Sequence, residues 1–501
     1  MSEKIRLVNK PVFLALCLVL SSFLGQAQTF GSIKSQVKVH TLANGMKFIV
    51  LERHDAPVVS FHVYADVGSA NESYGITGIS HLLEHMAFKG TTTVGTTDYA
   101  AESKMLDEID VVYDQIQREE VKAQPDRQKI DELKARFEEL QKKAKEFVIN
   151  NEYFDMMMRQ GDQGVNAYTS NDATQYTNSL PSNKLEFWMA MTSDRFLNPV
   201  FREFHKERDV VMEERRLGLE TRPQGKLLED FFAVAFKAHP YHHEVIGHMS
   251  DLQSITRGDV ENYFKRFYGP SNLTAGIVGD IKAEDVFRLA EEYFARIPSG
   301  PKPEPVRTVE PEQWGERKVA VTAQAQPMMI VGYHVPDARH KDNPALDALA
   351  NILGQGRSSR LYQVLVKDKK MAVACQGFSG FPGDKFPNLI AFFFVPSAGR
   401  AVAECLDLAE QEIEKVKKDS VTAEELTKFK RNAVKRILNQ MKDNGEMAAQ
   451  LTYADVVLGD WQKLFDQVKE INAITADDVK RVANAYLIKT NRTIGEIITE
   501  N

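Results

Sequence analysis

The chain has 501 residues, 43% of them hydrophobic and 27% charged. That length allows roughly three domain-sized units, and that balance excludes a disordered chain or a small disulfide scaffold. The 63 basic and 70 acidic side chains leave a net charge of -7, which offers no overall attraction to nucleic acid or to an anionic membrane.

Lys4, Arg6 and Lys10 precede the apolar run 12–24, which small residues follow at Gly25 and Ala27. This is the order of a secretory signal peptide cut after Ala27. The run holds only 13 residues, against the roughly 20 that cross a bilayer. The mature chain is therefore expected to carry no stable membrane anchor and to work outside the cytoplasm, in the periplasm. Cys17 leaves with this segment; Cys375 and Cys405 are open to pairing in an oxidising compartment but read rather as small buried hydrophobes without a function.

Strand patterns cover residues 37–42 and 46–51, with Asn44-Gly45 marking a hairpin between them, and a third strand covers 59–67. Helical periodicity begins near Thr77. Leu106, Ile109, Tyr113 and Ile116, then Ile130, Leu133, Phe137, Leu140, Ala144 and Phe147, recur in steps of three and four. The two stretches predict an antiparallel helical hairpin turning near Gln124-Pro125-Asp126, an insertion over 103–154 that reads as a solvated surface decoration. Prolines at 298, 301, 303, 305 and 311 mark a linker over 297–317. Beyond it the order repeats, with strands at 318–322 and 328–335 and a helix from about Pro344. The fold class is α+β: two homologous domains, 28–296 and 318–501, each a mainly antiparallel sheet covered by helices.

Residues 77–90 carry the most chemistry. Thr77 reads as an N-cap and Gly90 as a stop, bounding a helix of about three turns. Ile79, Leu82, Leu83 and Met86 fall on one face, and His81, Glu84 and His85 on the other. Two imidazoles one helical turn apart can share a metal, and a carboxylate beside them can act as general base. The pattern His-x-x-Glu-His is the inverzincin signature.

A catalytic zinc needs a third protein ligand and an open fourth position. In the acid-rich helix around 204–219, Glu207 and Glu214 lie two turns apart among Phe204, Val210, Val211 and Leu217, while Glu213 sits at the edge of that stripe. A carboxylate in an apolar stripe is costly unless it is paired or bound to metal. The wheel alone does not choose between the two.

His81-x-x-Glu84-His85, the segment 164–170 with Asn166-Ala167-Tyr168, and the segment 207–214 stand in the order seen in the pitrilysin (M16-type) family of zinc peptidases, which this chain resembles. His239-Pro240-Tyr241, Val245-Ile246-Gly247, residues 267–272 and residues 354–362 extend the resemblance over nearly the whole mature chain. It implies that His81, His85 and Glu214 hold one Zn2+ per chain, that Glu84 is the general base and that Glu207 is a supporting acid. It further implies that Asn166, Ala167 and Tyr168 form an edge strand to which an extended peptide substrate adds its backbone. The 128 residues between His85 and Glu214 fall to 76, close to the family's habit, once the 52 of the insertion are set aside.

The resemblance also implies a clam-like chamber of four domains, so a two-domain chain is expected to pair as a homodimer or with a related subunit. The substrate-anchoring arginine and tyrosine of relatives have no identifiable counterpart around 387–400, which favours a related subunit that supplies them. The reading is a secreted zinc metalloendopeptidase acting on peptides or unfolded polypeptides. Its rivals are a non-catalytic structural subunit and a maturation peptidase for a peptide-derived cofactor. His242, His243, Glu244 and His248 read as a surface loop without metal. Gly354 and Gly356 lack the lysine-serine pair of a phosphate loop and read as a flexible turn.

Overall fold

The computed structural model describes residues 32–500, so the expected signal segment 1–27 lies outside it. Val37–Thr41 (β1) and Lys47–Glu52 (β2) pair antiparallel around Asn44-Gly45, the expected hairpin. Then follow Val58–Ala65 (β3), Ile79–Met86 (α1), Tyr99–Glu120 (α2), Arg127–Lys145 (α3), Glu152–Arg159 (α4), Asn166–Thr169 (β4) and Thr174–Pro181 (β5). Leu185–Leu197 (α5), Phe204–Arg215 (α6), Pro223–Ala235 (α7), Met249–Ser254 (α8), Arg257–Phe267 (α9), Leu273–Gly279 (β6) and Ala283–Tyr293 (α10) complete the first half. Its sheet runs β1-β2-β6-β3-β5-β4, which leaves β4 at an edge, paired with β5 alone among the described residues.

After the proline-rich coil come Arg317–Ala323 (β7), Met328–Val335 (β8), Asn343–Gly354 (α11), Ala372–Phe381 (β9) and Asn388–Pro396 (β10). Val402–Asp419 (α12), Ala423–Gln440 (α13), Asn444–Val456 (α14), Lys463–Ala473 (α15), Ala476–Tyr486 (α16) and Arg492–Thr499 (β11) end the chain. The second sheet runs β7-β11-β8-β10-β9. It repeats the first: β7 lies parallel to β11 as β2 does to β6, and the remaining pairs are antiparallel in both.

The halves exchange a helix. α7 packs on β7 and β11 of the second sheet, and α14 packs on β3 and β6 of the first. Leu227, Phe231 and Phe232 of α7 join Ile330, Leu389 and Ile497 in one buried cluster, while Met447, Ala448 and Leu451 of α14 join Ile49, Tyr64 and Val278 in another. Each buried side chain of this kind contributes about 1.5–3 kcal/mol, so each sheet depends on the other half for the cover of one face.

The expected hairpin is α2 and α3. It starts at Tyr99, four residues before the sequence boundary, where Asp98 caps α2 by accepting the Ala101 N–H. It is not the solvated decoration that the charge pattern suggests. Glu102 is fully buried against Arg202, Asp107 and Asp110 pair with Arg257, and Tyr113 and Phe137 enclose His205 of α6. Acidic residues that look solvated in the sequence find arginines far along the chain.

Candidate active site

The histidine helix is shorter than its sequence suggests, eight residues followed by turns to Gly90. Thr77 does not cap it. Gly78 holds the cap position with φ +89°, and the N–H groups of Gly78 and Ser80 are both taken, at 2.8 Å, by the half-buried carboxylate of Glu72. The Thr77 hydroxyl donates instead to Asp251 at 2.7 Å. Gly90 does end the segment: at φ +93° an added Cβ would lie 2.2 Å from the Val94 carbonyl oxygen. The two faces are as expected, with Ile79, Leu82, Leu83 and Met86 in the core and His81, Glu84 and His85 on the accessible side.

α6 crosses this accessible face. Glu214 Oε2 lies 3.7 Å from Nε2 of His81 and 3.7 Å from Nε2 of His85. Among the described residues these three place one ligand atom each within 4.8 Å of one another. Ligands about 2.1 Å from a tetrahedral ion stand about 3.4 Å apart, so two imidazoles and one carboxylate fit zinc in both chemistry and spacing. Burial, reinforced by His85, pushes His81 down to about 4, which keeps it neutral and able to ligate.

Glu207 sits elsewhere. Its Oε2 approaches Nδ1 of His85 at 3.7 Å and its Oε1 pairs with Lys89 at 2.6 Å. Burial raises its pKa, but the neighbouring His85 and Lys89 outweigh that and hold it near 2. The two candidates meet different atoms: Glu214 faces Nε2 of both His81 and His85, and Glu207 faces Nδ1 of His85. The helical-wheel reading of α6 needs correction. Its buried residues are Phe204, His205, Arg208, Val211 and Arg215, whereas Val210 and Leu217 are 39% and 55% exposed. The stripe is not one continuous buried face: Phe204 and Val211 reach the core, whereas Val210, Glu214 and Leu217 stay exposed.

Glu84 is raised by burial, against a hydrogen bond from Thr169. The Thr169 hydroxyl donates to Glu84 Oε2 at 2.7 Å. Thr169 ends β4, so the edge strand with Asn166, Ala167 and Tyr168 reaches the histidine helix directly. Asn166 and Tyr168 are exposed and Ala167 is buried, the alternation of a strand with one face open. A cavity of about 480 Å³ lies beside Glu84 and His85, lined by Phe88, Lys89, Asn151, Phe154, Lys206 and Glu207. Thr169, Lys89 and Phe154 are site residues that sequence reasoning missed. Thr169 had a signal, since it belongs to the same short segment as Asn166.

Two family models match: Insulinase (Peptidase family M16) over residues 48–145 and 149–248, and Peptidase M16 inactive domain over 254–433. The zinc protease PqqE of Helicobacter pylori is 30% identical over 494 residues, covering 96% of this chain and 97% of its own. The chain belongs to peptidase family M16. The crystal structure of a protease from Helicobacter pylori superposes with a TM-score of 0.77 at 26% identity, covering 92% of this chain and 99% of that one. The periplasmic protease PqqL from Escherichia coli shares the fold at 17% identity and a TM-score of 0.67; the match covers 92% of this chain but 47% of that chain.

Among the described residues the second half of this M16 chain has no equivalent triad. α11 follows β8 as α1 follows β3, yet its sequence, NPALDALANILG, has no histidine or glutamate. The histidine loop differs from its sequence reading: His243 is only 3% exposed, and burial pushes it down to about 4. His242 bonds Tyr74 at 2.9 Å and the His239 carbonyl at 2.8 Å, so the loop is held by hydrogen bonds. Cys375 and Cys405 are free thiols, and no helix among the described residues is long and apolar enough to cross a membrane.

Proposed function

We propose that the mature chain is an exported zinc metalloendopeptidase, working in the periplasm on peptides or unfolded polypeptides. The observation that carries this reading is the placing of Glu214 Oε2 3.7 Å from Nε2 of both His81 and His85, with Glu84 on the same helix face as the two histidines. Zinc held by these three side chains would supply the Lewis acidity that polarises a peptide carbonyl and acidifies water. Glu84 takes the proton of the attacking water and delivers it to the leaving amine, work worth about 10²- to 10⁴-fold in rate. Thr169 holds one oxygen of Glu84 and leaves the other free to face the substrate. Glu207, anchored by Lys89, keeps the ring of His85 turned toward Glu214.

The free edge of β4 accepts an extended peptide through its backbone groups, so recognition by this strand is tolerant of sequence. The cavity between Phe88 and Phe154 receives one side chain next to the scissile bond. The chain spans about half of the Escherichia coli relative, which supports pairing with a second copy or a related subunit to complete a chamber. The test is hydrolysis of a quenched fluorescent peptide library by the purified mature protein before and after chelation. Activity lost on chelation and restored by zinc supports the reading; activity indifferent to chelation overturns it.

A further inference from the structure

We infer that residues 383–386 of the second half position the substrate strand β4, and through Thr169 the general base Glu84, by gripping Asp172. This rests on the peptidase reading of the site and gives the half without metal ligands a defined part in it.

Asp172 lies in the turn between β4 and β5, three residues beyond Thr169. It is buried, and both of its oxygens are engaged from outside the hairpin. Oδ2 accepts the N–H groups of Asp384 at 2.9 Å and Lys385 at 3.1 Å, and Oδ1 accepts the hydroxyl of Tyr241. The Tyr241 oxygen in turn accepts the Phe386 N–H at 3.4 Å, and Lys385 pairs with Asp66 just past the end of β3. Gly383 allows this approach. A Cβ there would stand 2.5 Å from Asp172 Oδ2 and 2.6 Å from the Tyr241 hydroxyl oxygen.

The opposite side of the turn is held by the first half, where Ser69 donates to the Ser170 carbonyl at 3.2 Å and Ala70 to the Asn171 carbonyl at 2.9 Å. The turn is therefore clamped between the halves. β4 itself has four residues and one strand neighbour, too few ladder bonds to hold its own position. Its last residue makes the hydrogen bond to Glu84. Displacement of reacting groups by about 1 Å can cost on the order of 100-fold in rate, so the grip on Asp172 has leverage on catalysis without touching substrate.

The experiment compares the mature protein with Gly383→Ala, Asp172→Asn, Thr169→Val and the Gly383→Ala/Thr169→Val double variant. It reads kcat and KM on a fluorogenic peptide, zinc content, thermal melting, and amide hydrogen exchange of residues 165–172. With zinc content and melting retained, Gly383→Ala is expected to lower kcat on the order of 10- to 100-fold and to speed exchange in 165–172. In the Thr169→Val background the same change should add no more than about twofold, because the link to Glu84 is already cut. Full multiplication of the two losses, or unchanged kcat and exchange in Gly383→Ala, overturns the inference. Zinc-loaded unmodified protein that cleaves no peptide refutes the peptidase reading instead, and exchange in 165–172 then still decides whether the grip positions β4.

Discussion

Glu207 and Glu214 stand two turns apart on α6, and replacing each by glutamine tests the proposed metal ligand against the proposed brace. At Glu214 the change removes the carboxylate that, among the described residues, faces both Nε2 atoms, leaving the two nitrogens 3.7 Å from a weakly donating amide. At Glu207 it leaves all three ligands in place and takes away only the charge behind Nδ1 of His85. Loss of such an outer partner costs about 10- to 100-fold in metal affinity, which is about 1.4–2.8 kcal/mol. Lys89 keeps Glu203 at 3.1 Å, so Glu207→Gln does not strand a buried ammonium and the fold should hold. Competition for zinc against a chromophoric chelator measures both variants. Glu207→Gln should weaken zinc binding about 10- to 100-fold, and Glu214→Gln by more than that. The reverse order would refute the assignment of ligand and brace.

Phe154→Ala opens the cavity beside Glu84 and should shift selectivity among large apolar side chains at the adjoining position by about 10- to 200-fold in kcat/KM; an unchanged cleavage profile would remove Phe154 from the pocket. Glu102→Gln strands the buried Arg202, which also donates to the carbonyls of Lys89, Thr91 and Val94 just after the metal helix. Breaking such a pair costs about 3–5 kcal/mol, read as a lower urea midpoint. His62 is buried on β3, with Nδ1 2.8 Å from Thr452 Oγ1 on α14, and burial lowers it to about 4. The unfolded chain therefore takes up this proton first, near pH 6.5. Stability from this group is complete above pH 6.5 and falls by about 3 kcal/mol on acidification to pH 4. Urea titrations across that window should show a shallower loss for His62→Asn.

What could be read from the sequence was local and periodic. The faces of α1 follow from 3.6-residue spacing, and the hairpin β1–β2 from Asn44-Gly45, because neighbours in the chain settle both. What could not be read depends on partners far away. Thr77 has the right chemistry for an N-cap, yet Asp251 captures its hydroxyl and the carboxylate of Glu72 takes its place. The apolar stripe around α6 reads as one face on a wheel, but a wheel does not show that Val210 and Leu217 stay exposed in the folded chain. The choice between Glu207 and Glu214 likewise rests on which nitrogen of His85 each meets, a matter of how two helices cross. The exchange of α7 and α14 left no trace in periodicity, since an amphipathic helix looks the same whichever sheet it covers. Contacts such as Lys47 with Asp455 and His62 with Thr452 span about 400 positions and become visible only in the folded chain.

Peptide hydrolysis and zinc content of the mature protein, measured alongside Glu84→Gln, test the zinc peptidase assignment most directly. Expected is zinc at one ion per chain in both proteins, with hydrolysis by Glu84→Gln lower on the order of 10²- to 10⁴-fold. Undiminished hydrolysis by Glu84→Gln, or a zinc-loaded unmodified protein that cleaves nothing, would contradict it.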